Sequence, residues 1–197
     1  DLMLARYDRQ PSLTVTDWLS GACGESSFPP MLSTWLDIVP ADNRLEDVLT
    51  EMSANPARVF DLRTALGELA HVRKHDFVII DAPPSLSALA WASIIAADVV
   101  IVPTLADPTS IKGLTNVMKQ IEDIRFQVGL APTLIGAVIN MVDERVLTDR
   151  QALALLEAEG MPRVLGKLPR RRGRDGWRQL RQAFVPIAQE IVCSCRV

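Results

Sequence analysis

Cysteine and histidine are scarce in this sequence. Its three cysteines are Cys23, Cys193 and Cys195. A single serine separates the last two, too tight for a usual zinc pair, and Cys23 has no second cysteine near it. The pattern argues against structural zinc and against an iron–sulfur centre. It reads as three unreactive thiols in a reduced, cytoplasmic setting. The two histidines, His71 and His75, are four residues apart but lack an evident third ligand, so they read as surface residues. No apolar run reaches the roughly 18 residues of a membrane span. The opening residues, DLMLARYD, carry an early acid and no long apolar core, so a secretory signal is not expected. Neither sign of charge dominates: 21 basic and 24 acidic side chains leave a net charge of −3. That balance excludes binding nucleic acid through bulk charge alone. Internal repeats and low-complexity tracts are also absent.

What remains is apolar and periodic. Hydrophobic residues make up 48% of the 197 positions, enough to bury a real core. The length suits one domain over residues 1–197, and no stretch reads as a boundary to a second. Six apolar runs read as strands: Leu2–Tyr7, Leu36–Pro40, Phe77–Ile80, Val99–Val102, Leu134–Ile139 and Val164–Leu168. None alternates cleanly, which predicts strands covered on both faces, as in a parallel sheet. Helix-period segments lie between them: Leu45–Met52, Leu62–Val72, Leu86–Ala96, Ile111–Ile124, Thr148–Glu159 and Trp177–Val192. The alternation predicts an α/β fold, a mostly parallel sheet with helices on both faces. GACGESSFPP, residues 21–30, reads as a surface loop.

In such a fold ligands sit outside the carboxyl ends of the strands. The strand-end residues are Asp8, Asp81, Pro103, Asn140 and Pro169. Asp81 follows four apolar residues in HDFVIIDAPPSLS, and burying it without a partner would be costly. Pro83 and Pro84 stop the strand because proline brings no N–H to a ladder, and Ser85 can cap the next helix. Composition leaves two readings of Asp81: a ligand-facing carboxylate at a strand tip, or the first residue of a turn.

The wider context resembles the ParA/MinD-type partition ATPases of the deviant Walker P-loop group. HDFVIIDAPPSLS is similar to their Walker B strand and the turn after it. AADVVIVPT, SIKGLTNVMKQI and LIGAVINMVDER follow in the family order. Upstream, DIVPADNRLEDV resembles the segment ending in Pro-Ala-Asn, and YDRQPSLTVTDWL resembles the switch I stretch. Downstream, VLGKLPRRRGRDGW resembles the last strand and the loop that closes over adenine. The resemblance implies ATP and magnesium as ligands. Asp81 would hold magnesium through water, and Asp8 would face the same metal waters. Asn140 would read the adenine edge, with Pro169 and Arg170 lining the base pocket. It further implies a homodimer formed on nucleotide binding, DNA bound without sequence preference, and a ParB-like partner that stimulates hydrolysis. The expected place is the cytoplasm, on the nucleoid.

Two features depart from the family pattern. No Gly-x-x-x-x-Gly-Lys-Ser/Thr occurs, so the phosphate loop and its strand are missing and the chain reads as N-terminally incomplete. The missing strand is central in the family sheet, so its two neighbours are expected to keep unpaired ladder groups. At the switch I proline, Pro11, Gln10 stands where the family has the water-placing aspartate. Glutamine can orient a water but supplies no charge, which predicts slow or altered hydrolysis.

RRRGRDGWRQLR, residues 170–181, sets six arginines against Asp175. Such a cluster on an acidic chain points to a phosphate-binding patch, with Arg171, Arg172, Arg174 and Arg178 as the DNA contacts. Trp177, Leu180, Phe184, Ile187 and Ile191 recur at helical spacing and are expected to pack on the sheet. The leading expectation is therefore plasmid or chromosome partitioning by ATP-controlled DNA binding. The alternatives are a non-hydrolysing interaction module that binds DNA or a partition partner, and Min-like division-site positioning at a membrane.

Overall fold

The computed structural model describes residues 13–20, 31–33, 36–72, 75–83, 87–130, 132–156, 161–170 and 176–195. The chain divides into two compact units, residues 1–96 and 97–197. The expected strand Leu2–Tyr7 and the loop over residues 21–30 lie outside the described residues.

The first unit is mainly helical. Its elements are α1 (Val15–Leu19), β1 (Met31–Ser33), β2 (Leu36–Asp37), α2 (Leu45–Ala54), a 3-10 turn (Pro56–Phe60), α3 (Asp61–Val72) and α4 (Ala88–Ala96). Helix α1 opens on a reciprocal cap. The Thr14 N–H and hydroxyl each donate to Asp17 Oδ2 at 2.9 Å, and the Asp17 N–H donates back to Thr14 Oγ1 at 3.3 Å. Arg44, just before α2, donates to Asp17 Oδ1 at 2.9 Å and to Asp42 Oδ2 at 2.6 Å. The Thr16 hydroxyl donates to the other Asp42 oxygen at 2.7 Å. These bonds tie α1 to the loop that enters α2. Arg58 makes a second clip, donating to Glu51, to Asp61 and to the Leu19 carbonyl. Between the clips lies an apolar core of Leu19, Val48, Met52, Leu62, Leu89 and Ala92.

Two sequence expectations change in this unit. Leu36–Pro40 reads as a buried parallel strand, but only Leu36–Asp37 is a strand, and it pairs antiparallel with Met31–Ser33. Phe77–Ile80 reads as a buried strand too. It has no ladder partner among the described residues, and Ile79 is 92% exposed. Only Ile80 reaches the helical core. An apolar run becomes a strand when another strand meets it, and the first unit offers none there among its described residues.

The second unit is a parallel sheet with helices on both faces. It comprises β3 (Val99–Leu105), α5 (Pro108–Val128), β4 (Thr133–Val142), α6 (Leu147–Leu156), β5 (Val164–Pro169) and α7 (Gly176–Ser194). The strand order is β3-β4-β5, every pair parallel, as the unbroken apolar runs predict. Asp107 starts α5 by accepting from the Thr109 and Ser110 N–H groups at 2.9 and 3.0 Å, with Pro108 directly behind it. Gly129, at φ 73°, ends that helix in the left-handed turn. One face of β4 sends Ala137 and Ile139 toward Leu114 of α5 and Ala152, Leu153 and Leu156 of α6. The other face sends Val138 toward Leu168 of β5 and Ile187 of α7. Gly166 makes the α7 contact possible, because a Cβ there would run into the Ile187 side chain.

Candidate functional site

The carboxyl ends of β4 and β5 gather three of the expected residues. Val142 pairs with Pro169, and the Arg170 N–H donates to the Val142 carbonyl at 3.0 Å. Asn140, two residues earlier on β4, pairs with Leu105 at the end of β3. Asn140 and Pro169 are half-buried and Arg170 is exposed. The backbone pairing thus brings Asn140, Pro169 and Arg170 to the carboxyl ends of two adjacent strands.

The end of β4 is irregular. Its register against β5 shifts between Ile139 and Val142, and Met141 has φ 56°. The extra residue inverts the alternation, so Val142 returns to the α5 and α6 side with Ile139. Met141 is left 52% exposed. The Met141 N–H donates to Asn140 Oδ1 at 2.9 Å. Nothing in the sequence pattern flags Met141, because a left-handed backbone at a methionine leaves no compositional trace.

Asp81 belongs to the first unit. It follows the Phe77–Ile80 segment and is exposed, with half-buried Pro83 two residues on. Ser85, expected to cap the next helix, lies outside the described residues, as do Asp8 and Gln10. Among the described residues no three His, Cys, Asp or Glu side chains come together as a metal cage. One accessible carboxylate is what a water-bound magnesium needs from the protein, since that ion keeps most of its waters and takes its other ligands from phosphate. The half-exposed amide beside a proline ring likewise fits one edge and one face of a planar base.

The basic run is described only in part. Arg171, Arg172 and Arg174 fall outside the described residues, while Arg178 is exposed on α7 with Arg181 one turn further on. The apolar strip of α7 divides. Leu180, Ile187 and Ile191 pack toward the sheet as expected, but Trp177 is 69% and Phe184 46% exposed. His75, read as a surface residue, lies 3.3 Å from Asp37. No helix among the described residues is long and apolar enough to cross a membrane.

Comparison with known proteins bears on these residues. Residues 24–133 match the AAA domain family. Asp81 falls inside that match and Asn140 outside it. The chromosome partitioning protein ParA of Caulobacter vibrioides is 36% identical over 110 residues, covering 56% of this chain and 41% of the relative. The chromosome-partitioning ATPase Soj of Thermus thermophilus is 31% identical over 121 residues, covering 61% and 46%. The chain therefore spans less than half the length of these curated relatives. Among solved structures, cobyrinic acid a,c-diamide synthase from Mycobacterium smegmatis, with a bound ATP analog and magnesium, aligns with a TM-score of 0.76 at 22% identity. That alignment covers 96% of this chain and 78% of the synthase chain, and it speaks to the fold. With more than half of its residues matched to the AAA domain family and partition proteins as its relatives, the chain belongs to the ParA/MinD-type family of P-loop ATPases.

Proposed function

We propose that this chain acts in partitioning, using ATP and magnesium to control nonspecific binding to DNA and so to segregate a plasmid or chromosome. The observation that carries the reading is the similarity to ParA of Caulobacter vibrioides over 110 residues. In this reading Asp81 orients the waters around magnesium, which neutralises charge on the β- and γ-phosphates. Asp8 faces the same waters and Gln10 orients the attacking one. Asn140, Pro169 and Arg170 take the base. Arg171, Arg172, Arg174 and Arg178 meet phosphates of the duplex, contacts that carry affinity and no sequence information. Nucleotide would bring two copies together as a dimer on the nucleoid, and a ParB-like partner would trigger hydrolysis and release.

The test is calorimetry with magnesium and ATP, paired with anisotropy on a random-sequence duplex. Saturable ATP binding, and duplex affinity that changes with nucleotide, support the reading. Duplex binding indifferent to ATP would replace it with a second one, an interaction module that does not hydrolyse. Gln10 favours that second reading, because it cannot supply the charge of the aspartate that precedes the switch I proline in the family. The patch has its own readout. Arg178→Ala should reduce the slope of log affinity against log salt by about one contact's worth, and equally for any duplex sequence.

A further inference from the structure

The last turn of α7 carries two thiols, Cys193 and Cys195, with Ser194 between them. Both are free; Cys195 is half-buried and Cys193 is exposed. Free cysteine is among the most buried residue types, and one left exposed is open to oxidants. Neither is a member of the apolar cluster that seats α7 on the sheet, to which Leu180, Ile187 and Ile191 belong. That seat reaches as far as Ile191, and the ion pair from Arg163 to Glu190, at 2.7 Å, fixes the helix at the same level. Beyond it the Cys195 N–H donates to the Ile191 carbonyl at 3.0 Å, and the Ser194 hydroxyl to the Glu190 carbonyl at 2.9 Å. No glycine follows Ile191 to lock the end in a left-handed turn. An α-helix turns about 100° per residue, so side chains two residues apart leave on opposite sides. Their Cα atoms, about 5.4 Å apart in a regular helix, nevertheless lie within disulfide range. Opening the turn is what would let the two sulfurs meet.

We propose that Cys193 and Cys195 are a redox couple: a hydroperoxide oxidises Cys193, Cys195 closes a disulfide onto it, and the last turn of α7 opens to allow the bond. The Cys193 thiolate attacks the peroxide. An S–O bond forms, the O–O bond breaks, and hydroxide or alkoxide leaves, protonated by solvent to water or an alcohol. The Cys195 thiolate then attacks the sulfenic sulfur. The S–S bond forms, the S–O bond breaks, and hydroxide leaves and takes up a proton as water. The two thiols lose two electrons and two protons, and the peroxide gains them. A dithiol reductant reverses the change by exchange. Burial of Ile187 and the packing of Ile191 confine the opening to the residues beyond them, so the modification alters the helix end and leaves the sheet closed. The expectation of unreactive thiols suits buried cysteines; Cys193 is exposed.

The test treats the full chain with hydrogen peroxide, quenches with catalase, alkylates the remaining thiols and counts them by mass. Trypsin then releases residues 182–196, which carry both cysteines and exclude Cys23. Two of the three thiols should be lost, with that peptide unalkylated and lighter by two hydrogens, and dithiothreitol should restore both. Cys195→Ser should stop at the sulfenic acid, which dimedone traps on Cys193. Cys193→Ser should leave Cys195 open to alkylation. Hydrogen exchange reads the turn: oxidation should strip the Cys195 amide of the protection its bond to Ile191 gives, and leave that of Val138 unchanged. A pair that stays reduced overturns the couple. So does a link to Cys23, a link between two chains on a non-reducing gel, or dimedone trapping as strong in the unaltered chain as in Cys195→Ser. A disulfide that forms with no change at the Cys195 amide overturns the opening of the turn. The peptide map of the unaltered chain decides even where a variant fails to fold.

Discussion

Asp42 accepts from the Thr16 hydroxyl and from Arg44, and these bonds lower its pKa from 3.8 to about 2, the hydroxyl having the larger effect. The unfolded chain, lacking those donors, takes up the proton first as pH falls. The contribution of Asp42 is therefore fully present above pH 3.8 and is lost as pH drops through about 2. Asp42→Asn should lower the urea midpoint at neutral pH and flatten its decline between those two values. A decline as steep as that of the unaltered protein would show that Asp42 is not the titrating group. Met141 gives a prediction of opposite sign. Its φ of 56° suits glycine, so Met141→Gly should raise stability by about 1 kcal/mol in thermal or urea unfolding. Sequence reading reached Asp81, Asn140 and Pro169 at this scale because each stands where an apolar run stops. It passed over Asp42 and Arg44, whose partners Thr14, Thr16 and Asp17 come from a different element, and over Met141, whose peculiarity lies in the backbone.

Among the elements, α7 depends on Gly166 and contains Pro186. Gly166→Ala would push a methyl into Ile187, a residue only 3% exposed. The strained packing should cost about 1–3 kcal/mol in the urea unfolding of the chain. Pro186 lies inside α7, where it can donate no N–H to the preceding turn. Pro186→Ala should stabilise by up to about 3 kcal/mol, a gain visible as a higher melting temperature. The helices were legible because periodicity is local: Ile111–Ile124 reads as a helix from spacing alone, whereas the caps Asp107 and Gly129, which the reading passed over, set its ends at Pro108 and Val128. Strands were less so. Val99–Leu105 and Thr133–Val142 extend further than their apolar runs suggest, because a ladder continues as long as a neighbour continues. Phe77–Ile80 has the composition of a strand and forms no ladder among the described residues, since pairing is decided by residues distant in sequence.

At the scale of the whole molecule, apolar side chains stand exposed. In the first unit Phe77, Val78 and Ile79 are 47%, 54% and 92% exposed. In the second, β3 has one ladder partner among the described residues, β4. An exposed apolar segment is a template for another chain. Self-association should rise with concentration in light scattering, and Ile79→Lys should suppress it with little change in the unfolding midpoint. Unchanged scattering would place the adhesive surface elsewhere.

The position of β4, paired on both sides between β3 and β5 and covered by helices on both faces, has a consequence in time as well as in space. Solvent reaches the amides of Val138 and Ile139 only when the whole sheet opens. In heavy water their protons should be among the last to exchange in the second unit, and their rates would report its global stability directly. The amides of Phe77–Ile80 should exchange within the dead time of the experiment. One deuterium time course would thus date every opening in the chain against these two clocks.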